Sequence, residues 1–290
     1  MTLPVLSGVQ EIAQDYDALI LDLWGVVHNG VEPYPGVLDC LENLRDAGKQ
    51  VMLLSNAPRV SSKVGVQIAG FGVPRDAYDD VVTSGDVTRL SVRRRDDAWH
   101  AALGDTFFHV GPERDWGLLD GIGVDEVDDI DKAAFVLTSG LRDDETETEA
   151  DYDEIFGRAL SRKLPMICAN PDLSVMRGDN MVLCAGSIAA HYEAMGGEVM
   201  YHGKPHARAY QVCFEKLDGV ARERIIAVGD SYRTDIAGAN AAGIASLFVA
   251  GGIHGAELGV AAGTLDADKV TEAATAAGHV PTAAIAGFFW

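Results

Sequence analysis

The stretch Leu19-Ile20-Leu21-Asp22-Leu23-Trp24-Gly25-Val26-Val27-His28-Asn29-Gly30 decides how the rest of the chain is read. Three apolar residues run into Asp22, after which the sequence turns polar and glycine-rich, the pattern of a buried parallel strand ending in a loop. Asp22 then stands at a strand's carboxyl end, the edge at which open α/β sheets bind ligands. A carboxylate there is a candidate functional group. The same residue type also caps helices and starts turns, and this stretch alone leaves both readings open.

Working outward, the alternation continues. Val37, Leu38, Leu41 and Leu44 have helical spacing between Pro35-Gly36 and Gly48, a glycine placed to end a helix. Val51-Met52-Leu53-Leu54 predicts a strand that delivers Ser55-Asn56 to the same edge, and 60–69 predicts a helix before the turn Gly70-Phe71-Gly72. Such β-α-β-α order implies a parallel sheet with right-handed crossovers. From about residue 81 to 182 the order restarts, with strands expected at 107–110, 134–138 and 165–169 and helices near 86–95 and 151–162. The first alternation then resumes: helices over 188–195 and 205–217, a strand at 225–228, a helix over 234–242 and a strand at 244–249. Gly229-Asp230 closes the strand Ile225-Ile226-Ala227-Val228, so Asp230 reaches the same kind of edge as Asp22. The expected architecture is α/β: a doubly wound, parallel-sheet (Rossmann-like) core of residues 1–80 and 183–290, with a smaller α/β domain of residues 81–182 inserted. The end of the alanine-rich tail, Phe288-Phe289-Trp290, is expected to pack on the body.

Composition narrows the function classes. At 290 residues, 48% hydrophobic, the chain can bury a core or two. No apolar run approaches the roughly 20 residues of a membrane span, and no basic segment precedes an apolar one at the amino terminus, so a cytoplasmic protein without a membrane partner is expected. Cys40, Cys168, Cys184 and Cys213 lie far apart in apolar surroundings, which favours buried free thiols over metal ligands or disulfides. A formal charge of −21 repels phosphate backbones and argues against nucleic acid, while leaving room for a small anionic substrate. The acidic run Asp143-Asp144-Glu145-Thr146-Glu147-Thr148-Glu149 reads as a solvated loop or a first helical turn.

Strand and helix ends thus offer Asp22, Ser55-Asn56, Lys204, and Asp230 with Asp235. Carboxylates brought together suit a hard, oxygen-seeking cation such as magnesium, and a hydroxyl, an amide and an ammonium make an anion site. In this order and context the chain resembles the haloacid dehalogenase-like hydrolases. Within them it is similar to subfamily IIA, which has an α/β cap between the second and third motifs and includes p-nitrophenyl-phosphatase-like and sugar-phosphatase-like members. The motifs are matched by Asp22-Leu23-Trp24-Gly25-Val26-Val27, by Leu53-Leu54-Ser55-Asn56, by Gly203-Lys204-Pro205 and by Val228-Gly229-Asp230-Ser231-Tyr232-Arg233-Thr234-Asp235, continuing to Gly243.

The resemblance implies a magnesium-dependent phosphohydrolase acting on a small phosphorylated metabolite. In it, Asp22 attacks phosphorus and forms an aspartyl-phosphate. Asp22, the Trp24 backbone carbonyl and Asp230 hold Mg2+ with Asp235 in support, and Ser55, the Asn56 N–H and Lys204 bind the phosphoryl oxygens. The inserted domain would then be the cap that sets specificity, with Asn170 and Asp172 of Asn170-Pro171-Asp172 over the cleft and Arg142 and Arg177 as further candidates; pairing of two copies through the cap is common in the family.

One position departs from the pattern. Family phosphatases usually carry a second aspartate two residues after the nucleophile, which protonates the leaving oxygen and later activates water; this chain has Trp24. An indole N–H donates but does not exchange its proton at a useful pH, so it replaces neither function. His28, His202 and His206 lie near the motifs as candidate substitutes, though a structural role suits each better. Besides hydrolysis, two further activities fit the motifs: a catalytically reduced protein that binds a phosphorylated metabolite, and an enzyme for phosphoryl transfer or acyl-phosphate cleavage.

Overall fold

The computed structural model describes residues 2–177, 180–260 and 264–290. In chain order, the strands up to the inserted region are β1 (Val5–Leu6), β2 (Ala18–Leu21), β3 (Gln50–Ser55) and β4 (Asp80–Thr83). Then come β5 (Thr106–Val110), β6 (Asp125–Glu126), β7 (Phe135–Thr138), β8 (Met166–Cys168), β9 (Ser174–Arg177), β10 (Asn180–Leu183) and β11 (Val199–Tyr201). Finally there are β12 (Ile225–Gly229), β13 (Ala245–Val249) and β14 (Ala283–Ile285).

Seven strands form one parallel sheet in the order β1-β14-β13-β12-β2-β3-β4. Its central strands are apolar along their whole length because both faces are covered. Leu19 and Leu21 of β2, Val51 and Leu53 of β3 and Ile226 and Val228 of β12 share a core with Val37, Cys40, Leu41 and Leu44 of the helix Val37–Asp46. The alternate residues Ala18, Ile20, Met52, Leu54, Ile225 and Ala227 point the other way, onto Ala209, Tyr210 and Cys213 of the helix Ala207–Lys216. From β2 the chain steps outward through β3 to β4, and from β12 it steps the opposite way through β13 to β14. The carboxyl ends of β2 and β12 therefore flank the point where strand order reverses, the crevice in which doubly wound sheets bind ligands.

The second sheet is also parallel, ordered β11-β8-β7-β5-β6. Strand pairing divides the chain differently from the boundaries expected after residues 80 and 182. Asp80–Thr83 pairs with Met52–Ser55 in the large sheet, and Val199–Tyr201 pairs with Met166–Cys168 in the small one. The helix Ala185–Ala194 likewise buries Ala185, Ile188, Ala189 and Tyr192 in the small sheet's core. The second unit thus runs on to Tyr201, and the crossing back to the large sheet falls immediately before Gly203-Lys204-Pro205. An antiparallel strand pair, β9 with β10, was not foreseen, and β14 lay hidden in the alanine-rich tail. Phe288 is buried in the large core, as expected of that tail.

The acidic run proves to be mostly local structure: Thr148 and Asp151 cap each other reciprocally ahead of the helix Asp153–Ser161. All four cysteines are free and buried, and burial pushes the Cys40, Cys168 and Cys213 thiols up to about 12. The folded protein should therefore leave a thiol reagent unreacted at pH 8, and the denatured chain should consume four equivalents; labelling of the folded protein would contradict this packing. Among the described residues, no helix is long and apolar enough to cross a membrane.

Candidate active site

Asp22 follows β2 directly, and its N–H donates to the Val228 carbonyl of β12 at 2.9 Å, which carries the sheet register one residue past the strand. Asp230 follows β12 in the same way, so two strand ends place two carboxylates side by side. Glycines crowd against the carboxylates of this cluster. Gly25 has φ +85°, and a side chain there, or at Gly252, would overlap the Asp230 carboxylate; one at Gly229 would overlap Asp235. The Ile253 N–H donates to Asp230 Oδ2 at 2.7 Å.

Asp235 enters from one wide, π-helical turn over Tyr232–Ile236 that precedes the regular helix Ala237–Ala242, where a continuous helix was expected. Such turns re-aim side chains and are frequent at functional sites. Here Asp235 Oδ2 accepts from the Ser231 N–H at 3.1 Å, while Oδ1 accepts from Lys204 Nζ at 2.7 Å. Lys204 Nζ also donates to Asp22 Oδ1, at 2.5 Å.

The lysine is held by its backbone. Asn56 accepts from the Lys204 N–H through Oδ1 (2.7 Å) and donates from Nδ2 to the Lys204 carbonyl (3.1 Å). At Gly203, with φ +119°, a side chain would strike Asn56 and Ser84. Asn56 Nδ2 also reaches Asp172 Oδ1 at 2.9 Å, and the Asp172 N–H donates to Asn170 Oδ1 at 3.0 Å, so the loop Asn170-Pro171-Asp172 of the second unit sits on the site. Arg233 ties down the same loop, donating from Nη2 to the Pro171 carbonyl at 2.8 Å.

Asp22, Lys204, Asp230 and Asp235 are each at most 8% exposed, which sets their electrostatics. Burial raises Asp22 well above the carboxylate range, with the Lys204 ammonium opposing the shift and Asp235 and Asp230 adding to it. Asp230 is pushed up to about 7, chiefly by burial and then by Asp235. Burial works against the Lys204 charge as well, but Asp22, Asp235 and Asp172 outweigh it and hold the ammonium well above its ordinary value. Asp172 is raised, first by burial. Three buried carboxylates against one ammonium leave negative charge uncompensated, and buried charge is costly unless paired. One oxygen from each of Asp22, Asp230 and Asp235 lies within 4.8 Å of the others. An all-oxygen, carboxylate-rich set of this kind fits a small hard divalent cation.

A cleft of about 640 Å³ opens over this cluster, and Asp22, Trp24, Ser55, Asn56, Asn170, Asp172, Lys204, Asp230 and Asp235 all line it. These motif and loop residues therefore face one space. The three candidate histidines do not. His28 is held by the Gly30 N–H on Nδ1 (3.0 Å) between Trp24 and Phe71, and burial pushes it down to about 4. His202 pairs with His100 and Thr88, each at 3.0 Å, and is pushed down to about 3; His206 stacks on Tyr201. Arg142 lies outside the cleft, over the Phe108 and Tyr152 rings, whereas Arg177 lines it and pairs with Asp144 at 2.7 Å. Sequence reasoning missed Arg59, Asp115 and His254, which also line the cleft. None belongs to a local pattern that signals a site, and only the fold brings them there.

Comparison with known proteins agrees with this geometry. Residues 19–125 match the family model described as haloacid dehalogenase-like hydrolase, and residues 201–276 match a related HAD-hydrolase-like model. A crystal structure of a hydrolase of the haloacid dehalogenase-like family from Brucella suis is 37% identical, with a TM-score of 0.83, over 97% of this chain and 98% of that one. D-glycerol 3-phosphate phosphatase from Mycobacterium tuberculosis is 28% identical over 86% of this chain and 67% of its own length. The sugar-phosphatase AraL of Bacillus subtilis is 27% identical over 80% and 82%. The chain is a member of the haloacid dehalogenase-like hydrolase family, of the α/β-capped subfamily IIA.

Proposed function

We propose that the protein is a magnesium-dependent phosphatase that hydrolyses a small phosphorylated metabolite through an aspartyl-phosphate on Asp22. The observation that carries this reading is the convergence of Asp22, Asp230 and Asp235 with Lys204, Ser55 and Asn56 at the switch point of the large sheet. The names of the phosphatases to which the chain is similar support it. Four buried free thiols suit a reducing cytoplasm, and a homodimer through the second unit is the assembly expected of this subfamily.

Asp22, the Trp24 carbonyl, Asp230 and Asp235 would hold Mg2+, which supplies charge neutralisation between a carboxylate nucleophile and an anionic phosphoryl group. Asp22 Oδ attacks phosphorus; the bond to the leaving oxygen breaks, and water later cleaves the acyl phosphate and returns the carboxylate. Lys204 remains protonated and exchanges part of its contact with Asp22 for a phosphoryl oxygen. Ser55 Oγ and the Asn56 N–H donate to the other oxygens as charge shifts onto them. The loop Asn170-Pro171-Asp172, tied to Asn56 and Arg233, closes the site from water.

A panel of aryl, alkyl and acyl phosphates assayed with Mg2+ tests the reading: magnesium-dependent release of phosphate supports it. No turnover together with tight, saturable metabolite binding would replace it with a binding role. The metal assignment has its own readout in stability. Asp230→Asn removes a buried charge from an over-acidic cluster, so the metal-free variant should melt about 2–4 °C above the metal-free parent, as for roughly 1 kcal/mol in a chain of this size. Millimolar Mg2+ should raise the parent's Tm and leave the variant's unmoved. An equal magnesium shift in both would remove Asp230 from the ligand set.

A further inference from the structure

We propose that Arg59 and Asp115 together read a hydroxyl group on the leaving group, so that this cleft selects phosphate esters of hydroxylated compounds over esters of the same shape without hydroxyls. The proposal rests on the phosphatase reading of the cleft and assigns its specificity. Arg59 comes from the loop that leaves β3, four residues beyond Ser55, and its backbone packs so closely on the helix Ser84–Arg94 that a side chain at Gly85 would overlap it. Asp115 comes from the other unit, in the turn Glu113–Asp115. Both line the cleft.

Asp115 is 3% exposed, and its Oδ1 has no hydrogen-bond partner among the described residues. Arg59 Nε stands 3.9 Å from that oxygen, near enough for attraction but beyond hydrogen-bond length. A buried carboxylate oxygen without a donor is costly, and burial pushes this carboxyl up to about 6 even with Arg59 and Arg114 nearby and the Ser139 hydroxyl donating to it. A group seated between the two must donate to Oδ1 and accept from Nε–H. A hydroxyl does both; an ammonium only donates, and a carboxylate or phosphoryl group only accepts.

The surroundings point the same way. Ser139, 4% exposed and hydrogen-bonded through Oγ to His109 Nε2 at 2.8 Å, lines the cleft close by. The neighbouring Arg114 and Arg177 are committed to Asp144, each at 2.7 Å, and the Ser139 hydroxyl serves the Asp115 carboxyl, which leaves Asp115 Oδ1 as the acceptor atom that lacks a donor. An apolar leaving group pressed against Asp115 would keep Oδ1 buried without a donor, and sites of this kind discriminate strongly because the wrong ligand strands a buried polar group.

The test compares kcat/KM, with Mg2+, for glycerol 3-phosphate against n-propyl phosphate and for glucose 6-phosphate against cyclohexylmethyl phosphate, in the parent, in Asp115→Leu and in Arg59→Met. The parent should favour the hydroxylated member of at least one pair by about tenfold or more, and each variant should lose that preference. If Asp115→Leu does not fold, Arg59→Met alone carries the comparison. A parent ratio near one, or a ratio unchanged in the variants because both esters lose rate together, would overturn the proposal; the second result is what a merely structural role gives. Calorimetric binding of the same pairs to the Asp22→Asn protein separates the two readings. A hydroxyl preference in affinity without turnover in the parent would sink the phosphatase reading and keep the subsite. Turnover without preference would do the reverse.

Discussion

Asp22→Asn is expected to lower turnover of every phosphate ester by about 10⁴-fold or more, to the background rate, because an amide has the shape of the carboxylate but not its nucleophilic oxygen. The fold should survive. Asp22 is a buried carboxylate already raised well above its usual range, so the uncharged amide removes a desolvation cost, and Lys204 keeps Asp235 as its partner at 2.7 Å. The expected signature is loss of activity with an equal or higher Tm and an unchanged circular dichroism spectrum. Retention of more than a few per cent of activity would move the nucleophile elsewhere.

The second large effect concerns Trp24. In the subfamily this position usually supplies the acid that protonates the leaving oxygen, and general acid catalysis contributes about 10² to 10⁴. Without it, alkyl phosphates with basic leaving groups should be slow and aryl or acyl phosphates fast, giving a steep plot of rate against leaving-group pKa. On the proposed mechanism, water attack on the acyl phosphate would also lack its base, so an early burst of product should precede the steady state. Trp24→Asp should speed alkyl phosphate hydrolysis by at least about tenfold and flatten the plot. The Trp24 indole packs over Gly30 and edge-on to His28 with ring centroids 5.4 Å apart, so the smaller side chain leaves a gap. The half-buried position limits the cost to about 2 kcal/mol, less than for a fully buried aromatic. The three histidines proposed as substitutes lie outside the cleft, whose wall beyond the carboxylate cluster carries Asp115, Asp144, Asp172 and His254. A shallow plot in the parent enzyme would mean that one of them has taken over the proton transfer, and the role given to position 24 would fall.

The parts of the site that could be read without coordinates are those specified by neighbours in the chain. An apolar run that stops at Asp22, another that stops at Asp230, and a third that stops at Ser55-Asn56 each announce a parallel strand and its loop end, because burial on both faces demands uninterrupted apolar residues. The order of the motifs then placed those ends at one crevice.

Short strands with long-range partners were not legible in this way. Val199–Tyr201 is three half-buried residues whose partner, Met166–Cys168, lies more than thirty positions earlier, and no local periodicity says to which sheet it belongs. Tertiary structure alone turned His28 and His202 into the interior and His254 toward the cleft, put Lys204 between Asp22 and Asp235, and set Asp115 opposite Arg59 across two units. Strand ends follow from the pattern of burial along the chain. The pairing of charges from distant segments depends on how two sheets pack, information carried by no single stretch of residues.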